Sequence, residues 1–190
     1  PVIDMAVAIR DLSACKKERE SASALLKGPG THYTVEKYDL VLWLEEALYF
    51  SMITTYAQGF ALLYRASKEY QYQLMPGKIA KIWRGGCIIR STLLDTIYTA
   101  YNNEPGLSNL LLDKQLAQQL MESQNGIRKI VQIGAQTGLP VPAMMASLAY
   151  FDSYRSEWLP ANLLQAQRDF FGAHTYQRND RDGIFHTQWN

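Results

Sequence analysis

The run Thr34–Tyr70, TVEKYDLVLWLEEALYFSMITTYAQGFALLYRASKEY, decides how this chain folds. Val41, Leu44, Leu48, Met52, Tyr56, Phe60 and Leu63 recur in it at spacings of three and four, the period of one helix face. Thr34 is placed to cap the start, and Glu36 stands in the first turn, where negative charge suits the helix dipole. At a rise of about 1.5 Å per residue, roughly 35 residues make about 50 Å of helix. That length, without strict heptads, predicts a central strut packed on several sides. Gly59 within it costs about 1 kcal/mol relative to alanine, which predicts a close helix crossing there.

Upstream, Val2 to about Leu26 reads as one helix. Met5, Ile9 and Leu12 recur at helical spacing, and Lys16, Lys17, Glu18, Arg19 and Glu20 form a solvated stretch. Gly28, Pro29 and Gly30 break it. This segment resembles a glycine-rich phosphate loop, but it lacks a preceding strand and a third glycine and so fails the dinucleotide fingerprint.

Downstream, Met75, Pro76 and Gly77 end the strut. A short helix then reaches Trp83, Gly85 and Gly86 permit a bend, and a further helix is expected from Cys87 to Tyr101. After a turn over Asn102–Gly106, a second long helix spans about Asn109 to Thr137, carried by Leu112, Leu116, Leu120, Ile127, Ile130 and Val131. Gly138, Pro140 and Pro142 stop it; another helix covers about Ala143 to Trp158, and Pro160 opens the last. The alternation of a strand is never sustained, so the expected fold class is all-α with no significant sheet. The two halves repeat a plan of glycine-containing loop, long helix, Pro/Gly break and shorter helices.

With 190 residues, 47% apolar and 19% charged, the length suits one domain with a sizeable core. A net charge of +1 argues against a broad nucleic-acid or anionic-membrane surface, so any anion site must rest on a few placed arginines. No apolar run reaches the roughly 18 residues that cross a bilayer, and no signal peptide is visible. Cys15 and Cys87 form neither a disulfide framework nor a CxxC site and read as small hydrophobes in a reducing cytoplasm. His32, His174 and His186 are scattered, with no metal-ligand spacing and no signature of a nucleophile. The remaining candidates are arginines. Arg10 stands among apolar neighbours, Arg84 and Arg90 flank the double glycine, and Arg168 lies in the terminal helix with His174 just beyond it.

The C-terminal stretch from Pro160 to Tyr176 reads as a short helix with an irregular tail, Gly172 standing where a helix stops in the left-handed conformation. A polar turn over residues 177–183 then leads to Phe185, His186 and Trp189, side chains that call for a surface to bury them. The run ANLLQAQRDFFGAHTY with its FHTQW ending resembles the C-terminus of 6-phosphogluconate dehydrogenase. So do WRGGCIIRS at Trp83–Ser91, TYAQGF at Thr55–Phe60 and NLLLD at Asn109–Asp113. The likeness spans essentially the whole chain.

That resemblance implies a multihelical bundle around two long antiparallel helices. It also implies an NADP-dependent, cytoplasmic homodimer of the pentose phosphate pathway that oxidises 6-phosphogluconate and decarboxylates it to ribulose 5-phosphate. In this alignment Arg10 falls on a substrate-phosphate arginine, although the family's Phe-Ala-Arg reads Ala8, Ile9, Arg10 here. Arg168 and His174 match the family's terminal substrate-binding arginine and histidine, in identical surroundings. Arg84 and Arg90 are read as structural, pairing with carboxylates or carbonyls inside the bundle. No residue matches the family's catalytic lysine, glutamate and asparagine, so the chain is expected to supply neither catalytic nor cofactor-binding nor metal-binding residues. The implied organisation is a substrate-binding and dimerisation domain over 1–176 and a tail over 177–190 that docks on the partner subunit, with the NADP-binding sheet absent from this chain. Two alternatives stand beside this: a helical interaction module with no enzymatic parent, and a hydroxyacid dehydrogenase of similar helical fold.

Overall fold

A computed structural model describes residues 1–189. They form eight α-helices and one 3-10 turn, with no strand beyond a single isolated bridge, as the missing alternation predicts. The chain falls into two compact units, Pro1–Tyr150 and the segment from Phe151 onward.

In the first unit the predicted N-terminal helix is two helices, α1 (Val2–Ala14) and α2 (Lys16–Leu25). The break falls at Cys15, whose φ of −81° and ψ of 51° leave the helical region. Side chains stabilise it: Arg19 Nη2 donates to the Ser13 carbonyl (3.0 Å), and Ser13 Oγ to the Arg10 carbonyl (2.6 Å). Such carbonyls at a helix end otherwise lack partners. Met5, Ile9 and Leu12 are exposed, and only Val2 of α1 is buried.

The strut is α3 (Lys37–Glu69), 33 residues long. Its N-cap is Glu36, with no side-chain cap bond, so Thr34 lies outside the helix and does not cap it. The core face also differs from the expected stripe. Ala47, Phe50, Ser51, Ile53, Thr54, Ala57 and Phe60 are buried, whereas Val41, Leu44 and Leu48 are exposed. α3 is apolar on more than one side, and its small residues select the face that another helix can approach. Thr54, wholly buried, returns its hydroxyl to the Phe50 carbonyl at 2.9 Å, a common solution for a hydroxyl inside a helix.

The approaching helix is the second long one. A 3-10 turn at Leu110–Leu112 precedes α6 (Lys114–Thr137), so the expected helix from Asn109 divides there. Asn109 accepts from the Leu111 amide and Asp113 from the Leu116 amide, both at 2.9 Å. The long helices run antiparallel: Tyr49 donates to Gln119 at 3.0 Å, while Trp43, earlier in α3, pairs with Lys129, later in α6. They approach closely at Gly126, where a Cβ would lie 2.4 Å from the Glu46 Cβ and 2.9 Å from the Trp43 carbonyl oxygen. Gly59 is not the crossing point, since nothing lies within 4 Å of its Cβ position.

Between them in the chain, α4 (Pro76–Gly86) and α5 (Leu93–Asn103) pack on α3 through Phe60, whose ring centroid lies 5.1 Å from that of Trp83 and 5.4 Å from that of Tyr101. The expected helix at Cys87 begins only at Leu93, because residues 87–92 form turns closed by the Arg90 amide on the Cys87 carbonyl (3.1 Å). The division between the units falls within α7 (Pro142–Tyr154), and α8 (Asn162–Gly172) lies in the second.

Candidate functional site

α8 begins two residues after Pro160 and ends on Ala173, which adopts φ 49° and ψ 39°. The left-handed stop is therefore alanine, one residue past the glycine expected to provide it. Thr175 is also left-handed, with φ 61°. Two non-glycine residues in this region flank His174, a conformation that persists only where neighbours hold it.

Asp169 holds it. Its side chain is completely buried, yet it accepts four hydrogen bonds. Oδ1 takes the Thr175 amide (3.0 Å) and pairs with His186 Nδ1 (2.9 Å); Oδ2 takes the Thr187 amide (2.9 Å) and the Trp189 indole (3.0 Å). Burial alone would raise the Asp169 pKa. The bonds from His186, Thr187 and Trp189, with the charge of His186, outweigh it and hold the carboxyl at about 2. The backbone bridge between Tyr176 and Phe185, 2.9 Å in both directions, closes the return of the chain. Gln165, one turn before Asp169, donates to the Thr175 carbonyl at 2.6 Å, so both backbone polar groups of Thr175 are tied to α8.

Arg168, adjacent to this carboxylate in sequence, is exposed, and no described residue offers it an ion pair or a side-chain hydrogen bond. The exposed His174 lays its ring over Gly172, where a Cβ would come within 2.8 Å of Nε2. Residues 168 and 172 are four apart on α8 and so share a face, which places the imidazole on the face that carries Arg168. Two donors with no partner among the described residues, on one helix face, suit an anion. Arg10 lies in α1, in the other unit; its guanidinium is likewise exposed and unpartnered among the described residues.

The other two arginines divide. Arg84 pairs with Asp95 at 3.0 Å, though at the surface. Arg90, expected to pair inside the bundle, has no described partner. It stands at the rim of an apolar groove of about 570 Å3 lined by Val2, Leu48, Met52, Tyr56, Trp83 and Ile88. The turn at 87–92 carries it clear of the packed helices.

Gly28–Gly30 has no strand before it, and α3 begins only at Lys37. Among the described residues no group of three His, Cys, Asp or Glu side chains could hold a metal ion, and no helix is long and apolar enough to cross a membrane. The residue that sequence reasoning missed is Asp169. Its signal was available: an acid in the last turn of a helix opposes the dipole and needs compensating donors.

An antiparallel two-strut bundle followed in the chain by a short helix defines an all-α domain. Comparison with known proteins gives its relationship. Residues 1–189 match the family described as 6-phosphogluconate dehydrogenase, C-terminal domain. The decarboxylating 6-phosphogluconate dehydrogenase of Staphylococcus epidermidis (strain ATCC 12228) is 50% identical over 188 residues, covering 99% of this chain and 40% of that protein. The enzyme of Staphylococcus aureus (strain N315) is 48% identical with the same coverage. The 6-phosphogluconate dehydrogenase of Plasmodium falciparum, solved in its apo form, with its cofactor NADP+ and with its substrate 6-phosphogluconate, superposes with a TM-score of 0.88. It is 41% identical, over 97% of this chain and 40% of that one. The chain belongs to the 6-phosphogluconate dehydrogenase family and corresponds to its C-terminal domain. It spans 40% of the length of these relatives. The match weighs against a helical interaction module unrelated to this family.

Proposed function

We propose that this chain is the substrate-binding and dimerisation part of a cytoplasmic enzyme that oxidises 6-phosphogluconate with NADP and decarboxylates the product to ribulose 5-phosphate. The match to the family over residues 1–189 carries this reading. Arg10, Arg168 and His174 bind the substrate phosphate; a phosphate dianion presents several acceptor oxygens, which planar guanidinium forks match. Proton transfer and the dinucleotide belong to a portion outside this chain, since acid–base groups must reach the substrate and none here matches the family's. The site is shared in a homodimer: Arg10 comes from one subunit, Arg168 and His174 from the other, and the tail over 177–190 docks on the partner. The apolar side chains of α1, exposed in the single chain, support such an interface.

Complementation tests the whole reading. Full-length chains carrying Arg10→Ala or Arg168→Ala each form homodimers with both sites damaged. Each charge-assisted bond contributes about 1.5–3 kcal/mol, so each variant should lose about ten- to a hundredfold in affinity. A mixed dimer with shared sites has one doubly damaged and one intact site, so high-affinity turnover returns to about half. If both arginines serve the same chain, every site keeps one lesion and nothing returns.

A further inference from the structure

Arg168 and His174 bracket the residue that fixes their geometry. His174 lies between Ala173 and Thr175, both left-handed, and side chains of α8 hold Thr175 at both ends of its peptide: Asp169 Oδ1 on its amide and Gln165 on its carbonyl. The other half of the Asp169 carboxylate binds the Thr187 amide and the Trp189 indole, while His186 shares Oδ1. One buried side chain thus ties three things together: the helix bearing Arg168, the turn bearing His174, and the terminal segment 186–189.

We propose that Asp169 is a positioning residue for anion binding, holding the His174 turn in register with Arg168 and making that register depend on the terminal segment being in place. The proposal rests on the phosphate reading above. Asp169 itself, fully buried and with four donors around it, offers nothing to a substrate. Its contribution is to keep a strained turn from relaxing. An amide in its place must present an NH2 toward some of these donors, so Asn cannot reproduce the set.

The test uses the full-length enzyme with Asp169→Asn, and 6-phosphogluconate, NADP+ and inorganic phosphate as probes. The KM for 6-phosphogluconate and the inhibition constant of competing inorganic phosphate should rise together, about five- to thirtyfold. The KM for NADP+ and kcat at saturating substrate should stay within about twofold. A merely structural role would lower kcat by loss of folded enzyme and leave the phosphate terms alone; that result overturns the proposal, as does an unchanged KM. Arg168→Ala and His174→Ala separate the two readings: if they raise the KM and Asp169→Asn does not, positioning alone fails. If they too leave it unchanged, the phosphate site itself is wrong. Should Asp169→Asn not fold, Trp189→Phe decides. It keeps the ring against Phe170 (5.7 Å between centroids) and removes only the indole bond. A phosphate-specific rise of about two- to fourfold supports the relay, and no rise overturns it.

Discussion

The two compact units are held by opposite means. In the first, α3 and α6 meet at Gly126, among buried Ala47, Phe50, Ile53, Leu120 and Ile127. The joint there is close packing of apolar surface. In the second, α8 leaves Leu163, Leu164, Phe170 and Phe171 exposed and buries a carboxylate in their stead. Its joint is four hydrogen bonds converging on Asp169. A packed seam is spread over many side chains and tolerates the loss of one; a polar hub concentrates its directionality in one residue. The first arrangement suits a scaffold, and the second suits a turn that must present one imidazole in one orientation.

The comparison breaks most visibly at Gly126. Alanine there would put a Cβ 2.4 Å from the Glu46 Cβ and 2.9 Å from the Trp43 carbonyl, and a backbone atom cannot rotate away. The helices must separate, at a cost of about 3 kcal/mol. Urea unfolding followed by circular dichroism should show the midpoint falling with an unchanged slope. Alanine tolerated within about 0.5 kcal/mol would mean that the seam is looser than it looks.

The same contrast explains what the sequence could reveal. Periodicity marks any apolar face, so it found α3 and its length. It then chose Leu44 and Leu48 for the core, when both are exposed and small Ala47 is fully buried. Hydropathy scores how apolar a position is, while the closest approach of two helices is decided by how small it is. Gly59 and Gly126 are alike in sequence, and only the partner helix distinguishes them. At the candidate site, Arg168 and His174 were singled out through the family resemblance, by the recognisable run around them. Asp169 showed only as an acid in a last helical turn; its donors were hidden, since they stand up to 20 residues away, two of them backbone amides that every residue possesses.

Acid should separate the two units. The carboxyls held at about 2, Asp169 and Asp180, both lie in the second: Asp169 against burial by its donors, Asp180 by the Arg178 hydrogen bond. Each folded pKa is below the ordinary 3.8, so each stabilises the folded form above that value. The contribution is lost as pH falls from about 4 through about 2. The Trp189 indole N–H resonance should therefore hold its position from neutral pH to about 4, then move toward the free-indole value below it. Far-UV dichroism, dominated by the apolar bundle, should lag behind. Simultaneous loss would show that the hub and the bundle form one cooperative unit.

The smallest expected effect is the sharpest test of what the hub is for. Gly172 has no left-handed φ to justify it. Its hydrogen atom leaves room for the His174 ring, whose Nε2 and Cδ2 would stand 2.8 and 3.0 Å from a new Cβ. The obstructing atoms in Gly172→Ala belong to the end of a side chain, so the ring moves aside and the backbone need not. Alanine is also the better helix former, by about 1 kcal/mol in an interior position, less at an end. Stability should thus change by no more than about 0.5 kcal/mol, in either direction, with the Trp189 indole resonance unmoved. On the phosphate site proposed above, binding should still suffer, because a displaced imidazole no longer faces the anion expected beside Arg168. In the full-length enzyme the KM for 6-phosphogluconate should rise about two- to fivefold, with kcat and the KM for NADP+ unchanged. An unaltered KM would mean that the orientation of His174 over Gly172 is incidental to binding, and the hub would then serve the tail alone.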